Sequence, residues 1–400
     1  MANDPIVIVS YARTPMGGFQ GALGSVKSTE LGATAVRAAC ERGKVSADAV
    51  DRIYMGCVLS AGLGQAPARQ AALGGGLPKS VEATTVSKVC GSGMQATMLA
   101  CDALAAGSAD VVIAGGMESM SNAPYLLAKH RGGARVGHDV VKDSMYLDGL
   151  EDAYTQGKLM GAFAEEAVRA YGFTREAQDA YAVQSLRRAQ SAIKSGAFKR
   201  EIVPVTVQAR SGEVIVVDDE QPGKAQFDKI PLLKPAFAKD GTITAANSSS
   251  ISDGAAALVL TRMSIAEKLG LTPIARIVSQ AGHAQEPGQF TSAPVPAIRK
   301  LLQKTGWSKD DVDLWEINEA FAVVAMIAMR ELDLSHARLN VNGGACALGH
   351  PIGASGARLI VTLLSALEQQ NAKRGVAAIC IGGGEATAIA VEMIAGGRAS

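Results

Sequence analysis

No two of the six cysteines in this 400-residue chain form a C-x-x-C pair. Cys40, Cys57, Cys90, Cys101, Cys346 and Cys380 are widely spread, which excludes a clustered zinc site and a disulfide framework. Aromatic residues are only 4% of the chain, and there are five histidines. An excess of charge of either sign is also missing. Lys and Arg number 39 against 38 Asp and Glu, a formal charge of +1, which excludes the basic footprint of a nucleic-acid or acidic-membrane binder. No apolar run approaches the roughly 20 residues needed to span a bilayer. Met1-Ala2-Asn3-Asp4-Pro5 leads into a strand pattern without a leader signature, and with this cysteine usage a cytoplasmic location is expected.

What is abundant is small and apolar. Hydrophobic residues reach 48% and glycines number 44, a composition that suits helices packed closely on a sheet. The length calls for two or three domains. Strand patterns at 6–10, 52–58, 82–89 and 109–116 alternate with helical patterns at 29–42, 46–50 and 94–106. This alternation predicts an α/β fold with a parallel sheet covered on both faces. The order then recurs. Residues 310–318 parallel 47–55, and 339–347 with a helix at 354–367 parallel the Cys90 strand and helix. Residues 375–384 parallel 109–117, so the pattern reads as an internal duplication. Between the halves lies a stretch with a helix at 174–196, a polar β-rich segment at 202–217 and a turn region at 222–235. It reads as an excursion over an active site. An apolar strand at 255–260 is expected to rejoin the first sheet.

Cys90 lies at a strand-to-helix corner, in Ser87-Lys88-Val89-Cys90-Gly91-Ser92-Gly93. Backbone N–H groups and the positive end of a helix favour thiolate there, and thiolate is the nucleophile. Gly91 and Gly93 are expected to leave room for a substrate beside the sulfur. Cys380 opens an equally glycine-rich stretch, Cys380-Ile381-Gly382-Gly383-Gly384. His350 is ringed by Gly343, Gly344, Gly349, Pro351 and Gly353, residues that shape a loop rather than fill a core. His130, His138, His283 and His336 read as surface residues. Cys40, Cys57, Cys101 and Cys346 read as packing residues. Asn318 ends an apolar strand, where it can cap a helix or serve as an oxyanion or water-holding donor. Gly91-x-Gly93-x-x-Ala96 matches a dinucleotide fingerprint weakly. The acid that follows, Asp110, precedes its strand instead of ending it, which argues against that reading.

Taken together these segments resemble the thiolase family, in particular acetyl-CoA acetyltransferases, over essentially the whole chain. The most specific motif runs from Asn340 to Arg358 through Gly349-His350-Pro351. The Cys90 segment, Asn247-Ser248-Ser249-Ser250, Asn318-Glu319-Ala320-Phe321 and Cys380-Ile381-Gly382-Gly383-Gly384 match family segments in order. The resemblance implies two duplicated halves forming a five-layered α-β-α-β-α stack, each half a five-stranded sheet, with a helix from each half between the sheets. It places the first half at 1–119 and 250–272, a loop domain that binds coenzyme A at 120–249, and the second half at 273–400.

The implied chemistry is reversible Claisen condensation of two acetyl-CoA by a ping-pong route through an acetyl-cysteine. His350 takes the proton of Cys90, and Cys380 is the second acid/base. His350 with a water on Asn318 forms one oxyanion site, and the N–H groups of Cys90 and Gly382 form the other. Gly382 suits this role because a side chain there would crowd the approach. Ser249 is expected to hydrogen-bond the pantetheine arm. Leu159, Met160, Phe237, Ala245, Ala320 and Phe321 should line the tunnel, and Phe290 should wall off the acyl pocket. No metal or cofactor is implied, since coenzyme A is substrate and product. The expected assembly is a homodimer or homotetramer, and fatty acid metabolism is among the expected settings.

Two positions depart from the family pattern. Leu159 stands where many acetoacetyl-CoA thiolases carry histidine. An arginine placed against the nucleotide in some relatives is missing, with Lys224 as a point-charge substitute. Longer 3-ketoacyl-CoA substrates are the alternative. A decarboxylating condensation normally pairs cysteine with two histidines, and here Cys380 takes the place of the second. A non-catalytic acyl-CoA or lipid binder would not need Cys90, His350 and Cys380 together.

Overall fold

The computed structural model describes residues 4–209 and 212–394. Its main strands are β1 (Ile6–Arg13), β2 (Arg52–Gly56), β3 (Glu82–Val86), β4 (Val111–Ser119), β5 (Ser252–Arg262), β6 (Ala275–Ala284), β7 (Leu314–Ile317), β8 (Arg374–Ile381) and β9 (Glu385–Met393). The main helices are α1 (Ser28–Gly43), α2 (Pro67–Gly74), α3 (Ser92–Ala105), α4 (Met160–Tyr171), α5 (Arg175–Ser195), α6 (Pro294–Thr305), α7 (Ala322–Leu332) and α8 (Ile352–Gln370).

The duplication is visible in the strand order. The first half runs β3-β2-β4-β5-β1 and the second β7-β8-β9-β6. In each half the pairs nearest the outer edge are parallel and the inner pairs antiparallel. The sheet is therefore mixed, not parallel as expected. Helical crossovers enforce parallel pairing only where they occur, and β8 turns directly into β9 through a glycine turn. A repeated aspartate marks the same corner twice. The carboxylate of Asp51 accepts the N–H groups of Asp110 and Val111 at 2.7 and 3.0 Å. That of Asp313 accepts those of Lys373 and Arg374, both at 2.8 Å.

Two further expectations change. The counterpart of β3 in the second half is not a strand, but a single parallel bridge from Leu339 to Trp315 followed by a short helix, Ala345–Leu348. Gly343, with φ +84°, breaks the extended run there. The two half-sheets also do not remain separate. β1 pairs with β6 through Val7–Arg276 and Ile8–Ala275, joining them into one 10-stranded sheet whose tenth strand is the short Gly17–Gly18 beside the start of β5.

Five layers result. α1 and α2 cover the first half through Leu31, Val36 and Ala71 against Ile53, Ile113 and Val259. α3 and α8 lie together in the middle, where Met94, Leu104, Ile360 and Leu364 meet Val112, Leu258, Ala377 and Ile389. α6 and α7 cover the second half through Ile298, Leu301, Val323 and Ile327 against Trp315 and Val376. Small residues permit the close central crossing. A Cβ on Gly93 would lie 2.8 Å from the Ala357 backbone nitrogen, and one on Gly356 would lie 2.4 Å from that of Met94. Gly93 is thus a packing residue and not substrate space, and Gly91 likewise faces the Ile381 side chain.

The chain between β4 and β5 packs its apolar residues onto both halves. Phe163, Ala164 and Val168 of α4 join the cluster around α7, while Val205 and Val207 join the first half. Leu186, Ala189 and Phe198 meet Ala347 and Leu348. Thr174 caps α5 by accepting the Ala177 N–H at 3.2 Å. The region at 222–235, read as turn, contains the end of a short helix, Glu220–Lys224, and a 3-10 helix, Phe227–Leu232. Arg13 fixes the excursion to β1 through Glu201 at 2.5 Å and Asp219 at 2.7 Å, all three fully buried. His336, read as a surface residue, stacks on Tyr181 with ring centroids 4.7 Å apart.

Candidate active site

The two central helices start side by side, and each is preceded by a reactive side chain. Cys90 stands two residues before α3 and His350 two residues before α8. The turn into α3 is tight. Val89 takes φ +42°, a region a β-branched residue enters only when its surroundings hold it there. Ser92 supplies part of that hold, its hydroxyl donating to the Val89 carbonyl at 2.7 Å and accepting the Lys88 N–H at 2.8 Å. Before α8, Gly349 has φ +104°, and a Cβ there would fall 2.2 Å from the Ser252 hydroxyl. The His350 N–H donates to the Ser250 carbonyl at 3.1 Å, tying this loop to the end of the excursion.

The imidazole has one defined tautomer. Ser355 Oγ lies 2.5 Å from His350 Nδ1 and 2.9 Å from the Pro351 carbonyl oxygen. A carbonyl only accepts, so the hydroxyl proton goes to Pro351 and Nδ1–H donates to Ser355. That leaves the lone pair on Nε2. Asn318 agrees with this assignment. Its Oδ1 faces Arg358 Nη2, which can only donate, and its Nδ2 lies 3.5 Å from His350 Nε2. Asn318 does not cap the following helix, since that position belongs to Phe321. Burial, followed by the Arg358 charge, pushes His350 down to about 3.

Burial also decides the state of Cys90, against the expectation from its corner position. The N–H groups of Gly382 and of Cys90 itself face the sulfur and favour thiolate. Desolvation outweighs them and pushes the thiol up to about 11. Cys380 is buried near the end of β8, and its thiol is raised well above the ordinary value by desolvation and then by the charge of Cys90.

A cavity of about 330 Å³ opens onto these groups. Cys90, His350 and Gly382 form its reactive end. Leu159, Met160, Phe237, Ala245, Ser249, Phe290, Ala320 and Phe321 line the rest. Asn318 and Cys380 lie behind this surface rather than on it. Phe237 and Phe290 both meet Phe321 edge-on, at 5.8 and 6.3 Å. Ser249 already donates to the Ala320 carbonyl at 3.0 Å, so its oxygen has only acceptor capacity left to offer. A Cβ on Gly382 would meet Met160 and Val89 at 3.4 and 3.5 Å, ordinary contacts. The protein itself therefore does not demand glycine there. Lys224 lies apart, in a neighbouring cavity of about 300 Å³ that shares Ala245 and Ser250 with the first. It is ion-paired with Glu220. Among the described residues no group of three or more His, Cys, Asp or Glu is arranged to hold a metal ion.

Several residues without a role in the sequence reading shape this site. Glu118 accepts the N–H groups of Val58, Leu59 and Gly353 at 3.0, 3.2 and 3.0 Å, joining β4 to the start of α8. Its carboxyl is pushed up to about 7 by burial. Ser355 and Arg358 lie within the His350 motif, where spacing alone gives no partner. Glu319 clamps the 340–346 loop to α5 through Tyr181 and Ser185, both at 2.8 Å, and Asn340 at 2.7 Å.

Residues 6–264 match the family model described as thiolase, N-terminal domain, and residues 271–393 match thiolase, C-terminal domain. The chain belongs to the thiolase family. This thiolase is 50% identical to an acetyl-CoA acetyltransferase of Yarrowia lipolytica over 387 residues, 97% of this chain and 96% of the relative. Acetyl-CoA acetyltransferase 2 of Arabidopsis thaliana is also 50% identical, over 392 residues and 97% of each chain. Among solved structures, Acat5 thiolase from Ascaris suum in complex with coenzyme A superposes with TM-score 0.93 at 44% identity, covering 98% of this chain and 100% of that one. The acetyl-CoA acetyltransferase of Bacillus anthracis gives 0.95 at 41% identity, covering 98% and 99%.

Proposed function

We propose that this thiolase is an acetyl-CoA C-acetyltransferase, condensing two acetyl-CoA to acetoacetyl-CoA and coenzyme A, reversibly. The observation that carries the reading is the meeting of Cys90 and His350, from distant parts of the chain, at one apolar cavity, with Cys380 buried behind it near enough to Cys90 to feel its charge. Relatives named acetyl-CoA acetyltransferase at about half identity over nearly the full length support it.

In this reading the Cys90 sulfur attacks the thioester carbonyl while His350 Nε2 accepts its proton. Collapse of the adduct breaks the bond to the coenzyme A sulfur, which takes the Cys380 proton and leaves as thiol; the acetyl group stays on Cys90, Cys380 is left as thiolate and His350 keeps the Cys90 proton on Nε2. The Cys380 thiolate then takes a methyl proton from the second acetyl-CoA. The carbanion attacks the acetyl carbonyl, the bond to Cys90 breaks, and the Cys90 thiolate recovers its proton from His350 Nε2. Acetoacetyl-CoA departs. The enolate-like oxygen would be held by His350 and a water on Asn318. The tetrahedral oxygen would be held by the N–H groups of Cys90 and Gly382, a donor set in which one loss typically costs roughly 10²–10³ in rate. The thioester itself activates both carbonyl and α-carbon, so coenzyme A is substrate and product and no cofactor is required.

The excursion at 120–249 is proposed as the segment that receives coenzyme A, with 1–119 and 250–272 as the first half and 273–400 as the second. Ser249 would accept from a pantetheine amide, and Lys224 with Lys229 would face the nucleotide end. Phe290, packed against Phe321, would close the acyl end and favour acetyl over longer groups. We assign a homodimer or homotetramer, a cytoplasmic location and a role in fatty acid metabolism on the same reading. Thiolysis assays across a series of 3-ketoacyl-CoA chain lengths test it. Acetoacetyl-CoA is expected to be cleaved fastest. Faster cleavage of 3-ketodecanoyl-CoA would make the chain a long-chain 3-ketoacyl-CoA thiolase.

A further inference from the structure

The donor pair around Cys90 is assembled from two halves that share no peptide continuity near the site. One donor, the Cys90 N–H, belongs to the segment entering α3. The other, the Gly382 N–H, rides on the turn between β8 and β9. That turn is anchored on one side, where the Gln285 N–H donates to the Gly384 carbonyl at 2.9 Å. Gly383 takes φ +92° with nothing within 4 Å of a built Cβ, and Gly384 takes φ +84° where a Cβ would strike the Gln285 carbonyl. The Cys90 segment carries the positive φ at Val89. Gly91 packs on Ile381 and Val89 lies beside Gly382, but these contacts are apolar and non-directional, so fixing the aim of the Gly382 N–H at the Cys90 sulfur calls for a directional link between the two pieces.

An ion pair supplies it. Lys88 Nζ meets Glu385 Oε2 in a close, partly buried contact. Lys88 is two residues before Cys90, and Glu385 is the first residue of β9, three after Gly382 and paired with Ile381 across the hairpin. Neither side chain lines the cavity. We propose that Lys88 and Glu385 are positioning residues that clamp the Cys90 turn to the Gly382 turn and so fix the spacing of the two oxyanion donors. The proposal rests on the reading of Cys90 as nucleophile and of these N–H groups as the tetrahedral oxygen's donors.

A displacement at such a site is felt mainly in the transition state. Lys88→Ala and Glu385→Gln are each expected to lower kcat about 5- to 30-fold, with KM within about twofold, because positioning errors of an ångström reach about 10² in rate. Iodoacetamide modification of Cys90 at fixed pH should slow in both variants. Partly exposed ion pairs contribute little to stability, so the melting temperature should stay close to that of the parent. The decisive variant is the double swap Lys88→Glu with Glu385→Lys, which should bring kcat back to within about threefold of the parent by restoring the clamp in reverse. Parental kcat in both single variants would overturn the proposal. So would a double swap no better than the worse single variant. Cys90→Ser, assayed alongside, separates the two levels. Turnover at the parental rate there would remove the nucleophile reading itself, whatever the ion-pair variants do.

Discussion

At Cys90 the balance between burial and backbone donors sets the resting state of the enzyme. The thiol is pushed up to about 11 and His350 down to about 3. Thiol and imidazole are therefore both neutral between pH 5 and 9, and in the proposed reaction the proton moves only as the sulfur attacks. Alkylation consumes thiolate, so its rate should rise about tenfold per pH unit from pH 7 toward 10, with no step near pH 6 from the imidazole. Rates of iodoacetamide inactivation against pH check this, and a plateau reached by pH 8 would mean a preformed thiolate–imidazolium pair. The reactive side chains themselves were legible because each stands in glycine-rich surroundings. What held them was not. Ser355 fixes the tautomer only because α8 turns its hydroxyl toward Nδ1, and Glu118 matters only because three N–H groups from two segments converge on it. The thiolate expected at a helix start failed because sequence shows the helix end but not the low-polarity cavity around it.

Among the secondary-structure elements, α3 and α8 do the most to place the chemistry. Their starts carry Cys90 and His350, so the spacing of the helices sets the spacing of the pair. Glycine makes that spacing possible. At Gly356 an added methyl would sit 2.4 Å from the Met94 backbone nitrogen, a neighbour that cannot rotate away. Gly356→Ala should therefore cost on the order of 1–3 kcal/mol in stability, and kcat should fall further than the stability loss alone explains. Urea titration followed by tryptophan fluorescence, with kcat measured under folded conditions, reads both effects. A variant with parental stability and kcat would show that the crossing has slack. Helices and most strands could be read from periodicity. The sheet's mixed character could not, because β8 and β9 share one apolar pattern whether a turn or a crossover joins them. Nor could the loss of the strand at 339–347, where Asn340 instead turns its side chain back to Ile317 and Glu319.

Over the whole molecule, duplication explains why the site lies where it does. Two copies of one topology meet with their central helices together, and equivalent positions before those helices carry the proposed nucleophile and the proposed base. The repeated asparate corners, Asp51 and Asp313, keep the framework alike while the reactive ends differ. The third contribution comes from the excursion, which lines the cavity through Leu159, Met160 and Phe237 while its apolar residues pack onto both halves. A segment held in this way has no core with which to unfold separately. Coenzyme A bound in the cavity as proposed would touch all three parts, so it should stabilise them as one unit. At a ligand concentration 100 times Kd the gain is about 2.7 kcal/mol. Scanning calorimetry of the full chain should then show one transition, moving to higher temperature as coenzyme A is added. An early transition that coenzyme A leaves in place would mean that the excursion melts on its own, and the shared cavity could not then be what holds the three parts together.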